Sequence, residues 1–345
     1  MSTKQSDHGS IGGFLQRVEE SLDDNRSADV EKRHAKGYRT ARENLDQLVD
    51  DGSFVEYGQF AVAAQRSRRS AEELRSKTAA DGVITGLATI NTDLFGARRS
   101  QAAVIINDYM SLAGTQGFFH HQKIDRMLEV ATQKALPVIM YTEGGGGRPG
   151  DTDVTTQIAG LNITTWLVWS QLAGVVPRIA VNNGYCFAGN AALYGGADIC
   201  IATQSSWIGM AGPAMIEGGG LGTFAPTEIG PAEVHNKNGV IDILAADEIE
   251  ATALAKRVLG YFQGPLGNWS AADQSLLQSI MPDDRRYTYD IRKLIDVLAD
   301  KGSFLELQQD YGKTIVTGFM RIEGHPLGLI ANDNRVLGGA VDGVS

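Results

Sequence analysis

Two glycine-rich stretches carry the chemical potential of this sequence. The first is Tyr141-Thr142-Glu143-Gly144-Gly145-Gly146-Gly147-Arg148-Pro149-Gly150, directly after an apolar run of strand character. Such a loop exposes backbone N–H groups that can hold an anion or an oxyanion; the alternative is a flexible connection. It is not a phosphate-binding P-loop, which needs Lys and then Ser or Thr after its last glycine, whereas Arg148-Pro149 follows here. It is not a dinucleotide fingerprint either, because no helix clearly opens after it. The second stretch starts on a strand at Arg178-Ile179-Ala180-Val181 and continues Asn182-Asn183-Gly184-Tyr185-Cys186-Phe187-Ala188-Gly189. It reads as strand, tight turn at Gly184, then small residues opening a helix. Small residues at Ala188, Gly189 and Ala191 let a ligand or another backbone approach, and a helix start favours negative charge. Close helix–sheet packing is the competing explanation. A third cluster, Ser206 to Pro213 with Gly218-Gly219-Gly220 beyond it, reads only as a turn-rich wall.

Conventional acid–base and nucleophilic groups are sparse around these loops. His120 and His121 sit at the expected start of a helix, where a structural role is favoured. His235 is either a wall of the site or a packed helix residue. Lys123, Arg98 and Arg99 can meet phosphates, against the plainer reading of solvated surface charge. Cys186 has no histidine at a triad-like spacing and reads as a small core residue. The only other cysteine is Cys200, and no metal-ligand spacing occurs. A disulfide framework is not expected, and a reducing cytoplasm fits.

The elements that must position the loops follow from pattern. Strands are expected at 103–107, 137–141, 178–181 and 198–202, and helices at 29–48, 120–134, 188–194 and 247–262, the last capped by Asp247. Strand and helix in alternation predict an α/β fold. The 345 residues carry a net charge of −10, 43% hydrophobic and 21% charged residues, and 41 glycines concentrated around the two loops. That composition describes a folded chain and argues against nucleic acid as the main partner. The first 28 residues read as a polar tail or loose helix without an apolar leader, and no run is long enough to span a membrane.

The chain also repeats itself. Leu45–Glu56 reads LDQLVDDGSFVE and Ile295–Glu306 reads IDVLADKGSFLE, identical at seven of twelve positions. The echo continues in order, with Ile84-Thr85-Gly86 matching Val316-Thr317-Gly318 and Asn107-Asp108 matching Asn332-Asp333. The first copy runs on through both glycine loops; little sequence follows the second. The expectation is a tail at 1–28, a first domain at 29–275, and at 276–345 the beginning of a second, unfinished one.

At this point the residues carry a resemblance. Ala180 to Gly189 is similar to the crotonase-superfamily signature, and Gly144–Gly147 occupies the place of that superfamily's other oxyanion loop. More widely, the chain resembles the carboxyltransferase (β) subunit family of biotin-dependent acyl-CoA carboxylases, propionyl-CoA carboxylase β-like. The resemblance rests on Thr40-Ala41-Arg42-Glu43, Gly52 to Glu56, Gly145-Gly146-Gly147-Arg148, Gly212-Pro213 and Glu228 to His235, in the family's order, and spans roughly 40–342. Three departures stand out: the family's GGAR is GGGR here, its Gly-Gly after the second turn is Ala188-Gly189, and the loop Glu217–Phe224 is unusually glycine-rich.

The resemblance implies a crotonase-like ββα spiral with the start of a second such domain. It implies transfer of carboxylate from carboxybiotin to the α-carbon of an acyl-CoA through a backbone-stabilised enolate. Backbone N–H groups of Gly146, Gly147 and Gly189 would be the oxyanion donors, with Gly145, Arg148, Ala188, Tyr185 and Gly212 binding substrate. Biotin would arrive on a carrier protein or domain; the partners would be a biotin carboxylase, that carrier and further copies of the chain. The crotonase hydratases place two catalytic glutamates where this chain has Ala192 and Gly212, so hydratase chemistry is disfavoured. The alternatives are a biotin-dependent acyl-CoA decarboxylase and a non-catalytic assembly subunit of the same fold.

Overall fold

The computed structural model describes residues 11–154, 163–284, 286–341 and 343. The start of the expected tail (1–10) and the last residue of the resemblance (342) lie outside the described residues. Seven strands form one sheet in chain order: β1 (Val55–Tyr57), β2 (Val83–Thr89), β3 (Gln101–Asn107), β4 (Val138–Tyr141), β5 (Arg178–Phe187), β6 (Ile199–Gly209) and β7 (Ile243–Ala245). The first three are antiparallel; from β3 to β7 every pairing is parallel. Parallel strands need crossovers, and helices supply them: Phe118–Lys134, Thr165–Gln171, Gly189–Gly195 and Ala232–Lys237.

The sheet is buried on both faces, which explains its near-continuous apolar strands. On β3, Val104 and Ile106 face a core shared with helices Ala41–Leu48 and Glu248–Phe262. Ala103 and Ile105 face the opposite core, built on helix Phe118–Lys134 and Trp169. The period-two alternation of side chains sends one apolar run into two layers.

A second sheet of three antiparallel strands follows: β8 (Leu305–Leu307), β9 (Ile315–Ile322) and β10 (His325–Asn332). It reproduces the β1–β2–β3 hairpin in register. Glu56 pairs with Gly86, and Glu306 pairs with Gly318. The preceding helices match too, with Arg42 held by Glu56 and Arg292 by Glu306. The turns agree atom for atom. Asp50 takes the amides of Asn91 and Thr92, and Asp300 those of Glu323 and Gly324. The two units touch through Phe319, which stacks on Tyr261 with ring centroids 5.3 Å apart.

Two expectations are corrected. The helix expected over 29–48 is two helices, Ser27–His34 and Ala41–Leu48. Gly37, at φ +79°, follows the first, and a Thr40–Glu43 capping box starts the second. Nor is the tail loose where it is described. It forms helix Ile11–Glu19, and Arg26 is buried against Asp108 at 2.5 Å. Among the described residues, no helix is long and apolar enough to cross a membrane.

Candidate functional site

The two glycine stretches meet. β4 delivers Glu143 and the glycines; β5 delivers Ala188-Gly189. Gly144 zips onto β5, its N–H donating to Tyr185 O at 2.7 Å and its carbonyl accepting from Phe187 N at 3.0 Å. A side chain on Gly144 would strike Gly114 O at 2.2 Å, so only glycine fits there. A Cβ on Gly146 would lie 2.8 Å from Ala188 Cβ, so the two loops are in direct contact. Gly184 is not a turn: β5 runs through it to Phe187 with a bulge between Asn182 and Gly184. The turn comes later, at Ala188 (φ +52°), and helix Gly189–Gly195 opens after it.

The fate of each N–H decides what the loops can do. Gly145 N–H donates to Ala113 O at 3.1 Å, and Ala188 N–H to Gly209 O at 2.9 Å. Gly146 N–H donates to Asn190 Oδ1 at 3.0 Å. That corrects the expectation for Gly146: a buried asparagine already holds its donor. Gly147 and Gly189 are different, because neither N–H has an acceptor among the described residues. Gly147 is exposed and Gly189 is the first residue of its helix, so both N–H groups are free to meet a ligand.

Gln116 stitches this arrangement together. Its N–H donates to Gly146 O and its carbonyl accepts from Arg148 N, both at 2.8 Å, so it brackets Gly147. Its side chain then crosses to Gly189, where a Cβ would meet Oε1 at 2.1 Å. Neither sequence position nor motif marks Gln116 or Asn190. Both act through strand and loop register, which only the fold supplies.

Arg148 is not available to a substrate. Its guanidinium is buried between Asp81 (2.5 Å) and Asp151 (2.8 Å), clamping the loop to the body of the fold. Tyr185 stacks on Phe187, packs at a tilt against Trp207, and lines a cavity of about 580 Å³ with Tyr38, Tyr109, Arg33, Glu143 and Lys36. Gly212 caps helix Pro213–Gly218, and a Cβ there would touch Phe187 at 3.5 Å. Glu143 is gripped by both arms of Arg33 at 2.9 and 2.5 Å; burial pushes its carboxyl up to about 7 against that attraction.

The remaining candidates are structural. His120 is fully buried, its Nδ1 donating to Asp81 O at 3.1 Å, and burial drives its pKa well down. His121 donates to Thr165 and is lowered by burial to about 4. Both imidazoles are therefore neutral. His235 donates to Ile208 O at 2.8 Å. Lys123 is not a surface charge; it is buried and caps the carbonyls of Ala80 and Val83. Burial pushes the Cys186 thiol up to about 12, leaving an inert core residue. Arg98 and Arg99 line a separate cleft with Lys134.

The arrangement is thus two glycine loops with unpaired backbone N–H groups, on a sheet of crotonase type. Comparisons with known proteins place the chain in a family. The Carboxyl transferase domain family matches residues 32–345. The propionyl-CoA carboxylase beta chain of Roseobacter denitrificans is 30% identical over 95% of this chain and 66% of its own length. The methylmalonyl-CoA decarboxylase subunit alpha of Veillonella parvula is 30% identical over 91% of this chain and 61% of its own. The chain therefore spans roughly three fifths to two thirds of these curated relatives. Among solved structures, a single-chain, multi-domain long-chain acyl-CoA carboxylase is 50% identical with a TM-score of 0.94, covering 97% of this chain and 33% of that one. The transcarboxylase 12S subunit, solved with methylmalonyl-CoA bound, is 26% identical with a TM-score of 0.81 over 99% of this chain and 65% of that one. With the sheet, the paired glycine loops and these likenesses in agreement, the chain belongs to the carboxyl transferase domain family.

Proposed function

We propose that this chain is the carboxyltransferase part of a biotin-dependent acyl-CoA carboxylase, acting at the α-carbon of an acyl-CoA. One observation carries the reading: the open N–H groups of Gly147 and Gly189, on two loops locked together by the Gly144–Cys186 pairing. Removing the α-proton of a thioester puts negative charge on its oxygen. Preorganised amides aimed at that oxygen stabilise it, each by roughly 3–4 kcal/mol in known enzymes. Asn190 keeps the loop rigid by holding Gly146, and Arg148 anchors its far end through Asp81 and Asp151. A pre-set donor pair costs no reorganisation when the charge appears.

Carboxybiotin, when bound, supplies CO2 as its N–CO2 bond breaks, and a ureido nitrogen to take the α-proton. The chain then needs no base of its own. The orphaned donors Gly147 and Gly189 suit the thioester side of the reaction; we assign no residue of this chain to the biotin ring. The biotin would be carried by a partner, loaded by a biotin carboxylase, with the chain assembled into an oligomer in the cytoplasm. Transcarboxylase 12S is itself described as a hexamer. Residues 29–275 would form the first crotonase-like unit and 276–345 a second one built on the same hairpin. The reverse direction, decarboxylation, uses the same enolate and is the activity named for the Veillonella relative.

The test is carboxylation by the purified chain with biotin carboxylase and a biotinylated carrier across acetyl- to long-chain acyl-CoA. The reading expects biotin-dependent transfer to at least one of them. Binding of none by calorimetry, with no transfer, favours a non-catalytic assembly subunit.

A further inference from the structure

Beside the two open backbone donors stands a side chain that no family motif assigns. Gln116 is 3% exposed, yet neither Oε1 nor Nε2 has a hydrogen-bond partner among the described residues. Burying both ends of an amide unpaired is costly. A residue that only filled space would be apolar.

Its position explains the cost. The backbone of Gln116 pairs on either side of Gly147, which puts the residue directly beside that loop. Its amide reaches Gly189, close enough that a Cβ there would sit 2.1 Å from Oε1. The side chain therefore lies at the junction of both loops. A half-turn about the last side-chain torsion exchanges Oε1 and Nε2, so the amide can present a donor there without moving its stem. The indole of Trp166 borders the same corner, its Cζ2 3.1 Å from that Cβ position, and its Nε1 also has no partner among the described residues. The Gln116 amide and the Trp166 ring thus border Gly189, and an N–H donor turned to that side is suited to an anionic oxygen.

We infer that Gln116 is a catalytic residue, donating from Nε2 to the thioester oxygen of the acyl-CoA as the enolate forms, alongside Gly147 and Gly189. The inference rests on the proposed function. It assigns to this chain a side-chain member of an otherwise backbone-only oxyanion site.

Gln116→Leu and Gln116→Met keep the bulk and remove the donor. In the complete carboxylase with carrier and biotin carboxylase, kcat is expected to fall about 100-fold, the loss seen when one oxyanion donor is removed elsewhere. KM for the acyl-CoA is expected to stay within about threefold, and the melting temperature to hold or rise, since an unpaired buried amide is gone. A filler role predicts the same melting change with kcat untouched. Wild-type kcat in both variants overturns the inference, as does a kcat loss that appears only with a lowered melting temperature. A wild-type chain that transfers carboxylate to no acyl-CoA overturns the functional reading itself, and Gln116's role with it.

Discussion

The molecule contains the same hairpin twice, and the two copies differ in what is attached to the third strand. Helix, turn, register, ion pair and aspartate recur from Arg42 to Asp108 and again from Arg292 to Asp333. In the first copy β3 receives β4 in parallel, and all but its first residue is buried. In the second, β10 pairs only with β9 among the described residues and stays largely exposed. The added strands β4 and β5 deliver both glycine loops. The hairpin is a frame that fixes where a sheet begins. Its repetition says nothing about a second donor corner.

The contrast is sharpest at the two aspartates. Asp108 pairs with Arg26 where both side chains are about 5% exposed or less. Asp333 faces Arg292 and Arg335, whose side chains are 28% and 40% exposed. Removing Asp108 strands a buried cation; removing Asp333 leaves cations that water can reach. Asp108→Ala is expected to cost about 3–5 kcal/mol in denaturant unfolding, and Asp333→Ala about 1 kcal/mol. Equal losses would mean that the two frames are stabilised alike.

A smaller effect separates the paired glycines. A Cβ on Gly86 would meet Val55 O and the Phe54 ring at 2.4 Å; on Gly318 it would meet Leu305 O at 2.3 Å. Both alanine variants overpack. Gly86 sits inside the larger sheet, so it should lose about 3 kcal/mol, against about 1 kcal/mol for Gly318. Thermal melts showing the reverse order would break the comparison.

Two carboxyls, Glu143 beyond the first hairpin and Asp333 in the second, titrate oppositely. Beside the first, burial raises the Glu143 carboxyl from 4.5 to about 7, so its contribution to stability is full below about 4.5 and is lost as pH rises through 7. In the second, hydrogen bonds from Arg335 hold Asp333 down to about 2, against 3.8 when unfolded. Its contribution is full above 3.8 and is lost only as pH falls through 2. From pH 7 to 4.5, the stability gap between wild type and Glu143→Gln should widen in favour of wild type. The gap to Asp333→Asn should stay flat. A flat Glu143 profile would place that carboxyl's titration below the window.

What the sequence made legible follows the same line. The hairpin repeat was readable because both copies use the same turn residues for the same bonds. The strands were readable because two-sided burial forces apolar runs, and the Asp247 cap was readable because its side chain does accept from Glu250 N–H. The donor corner was legible only in outline. Gly146 looks like Gly147 in sequence, yet Asn190 takes one N–H and leaves the other. Arg148 resembles a substrate-binding residue until Asp81, far off in the chain, arrives beside it. Gln116 carries no motif, because its role depends on its pairing across to Gly147.

The central claim is that Gly147 and Gly189 together receive the thioester oxygen. A crystal structure of the chain with a non-reactive acyl-CoA thioester analogue tests it most directly. The account predicts the analogue's oxygen about 2.7–3.1 Å from both backbone nitrogens, with Asn190 still holding Gly146. A thioester bound elsewhere, or an oxygen that meets neither N–H, would contradict it.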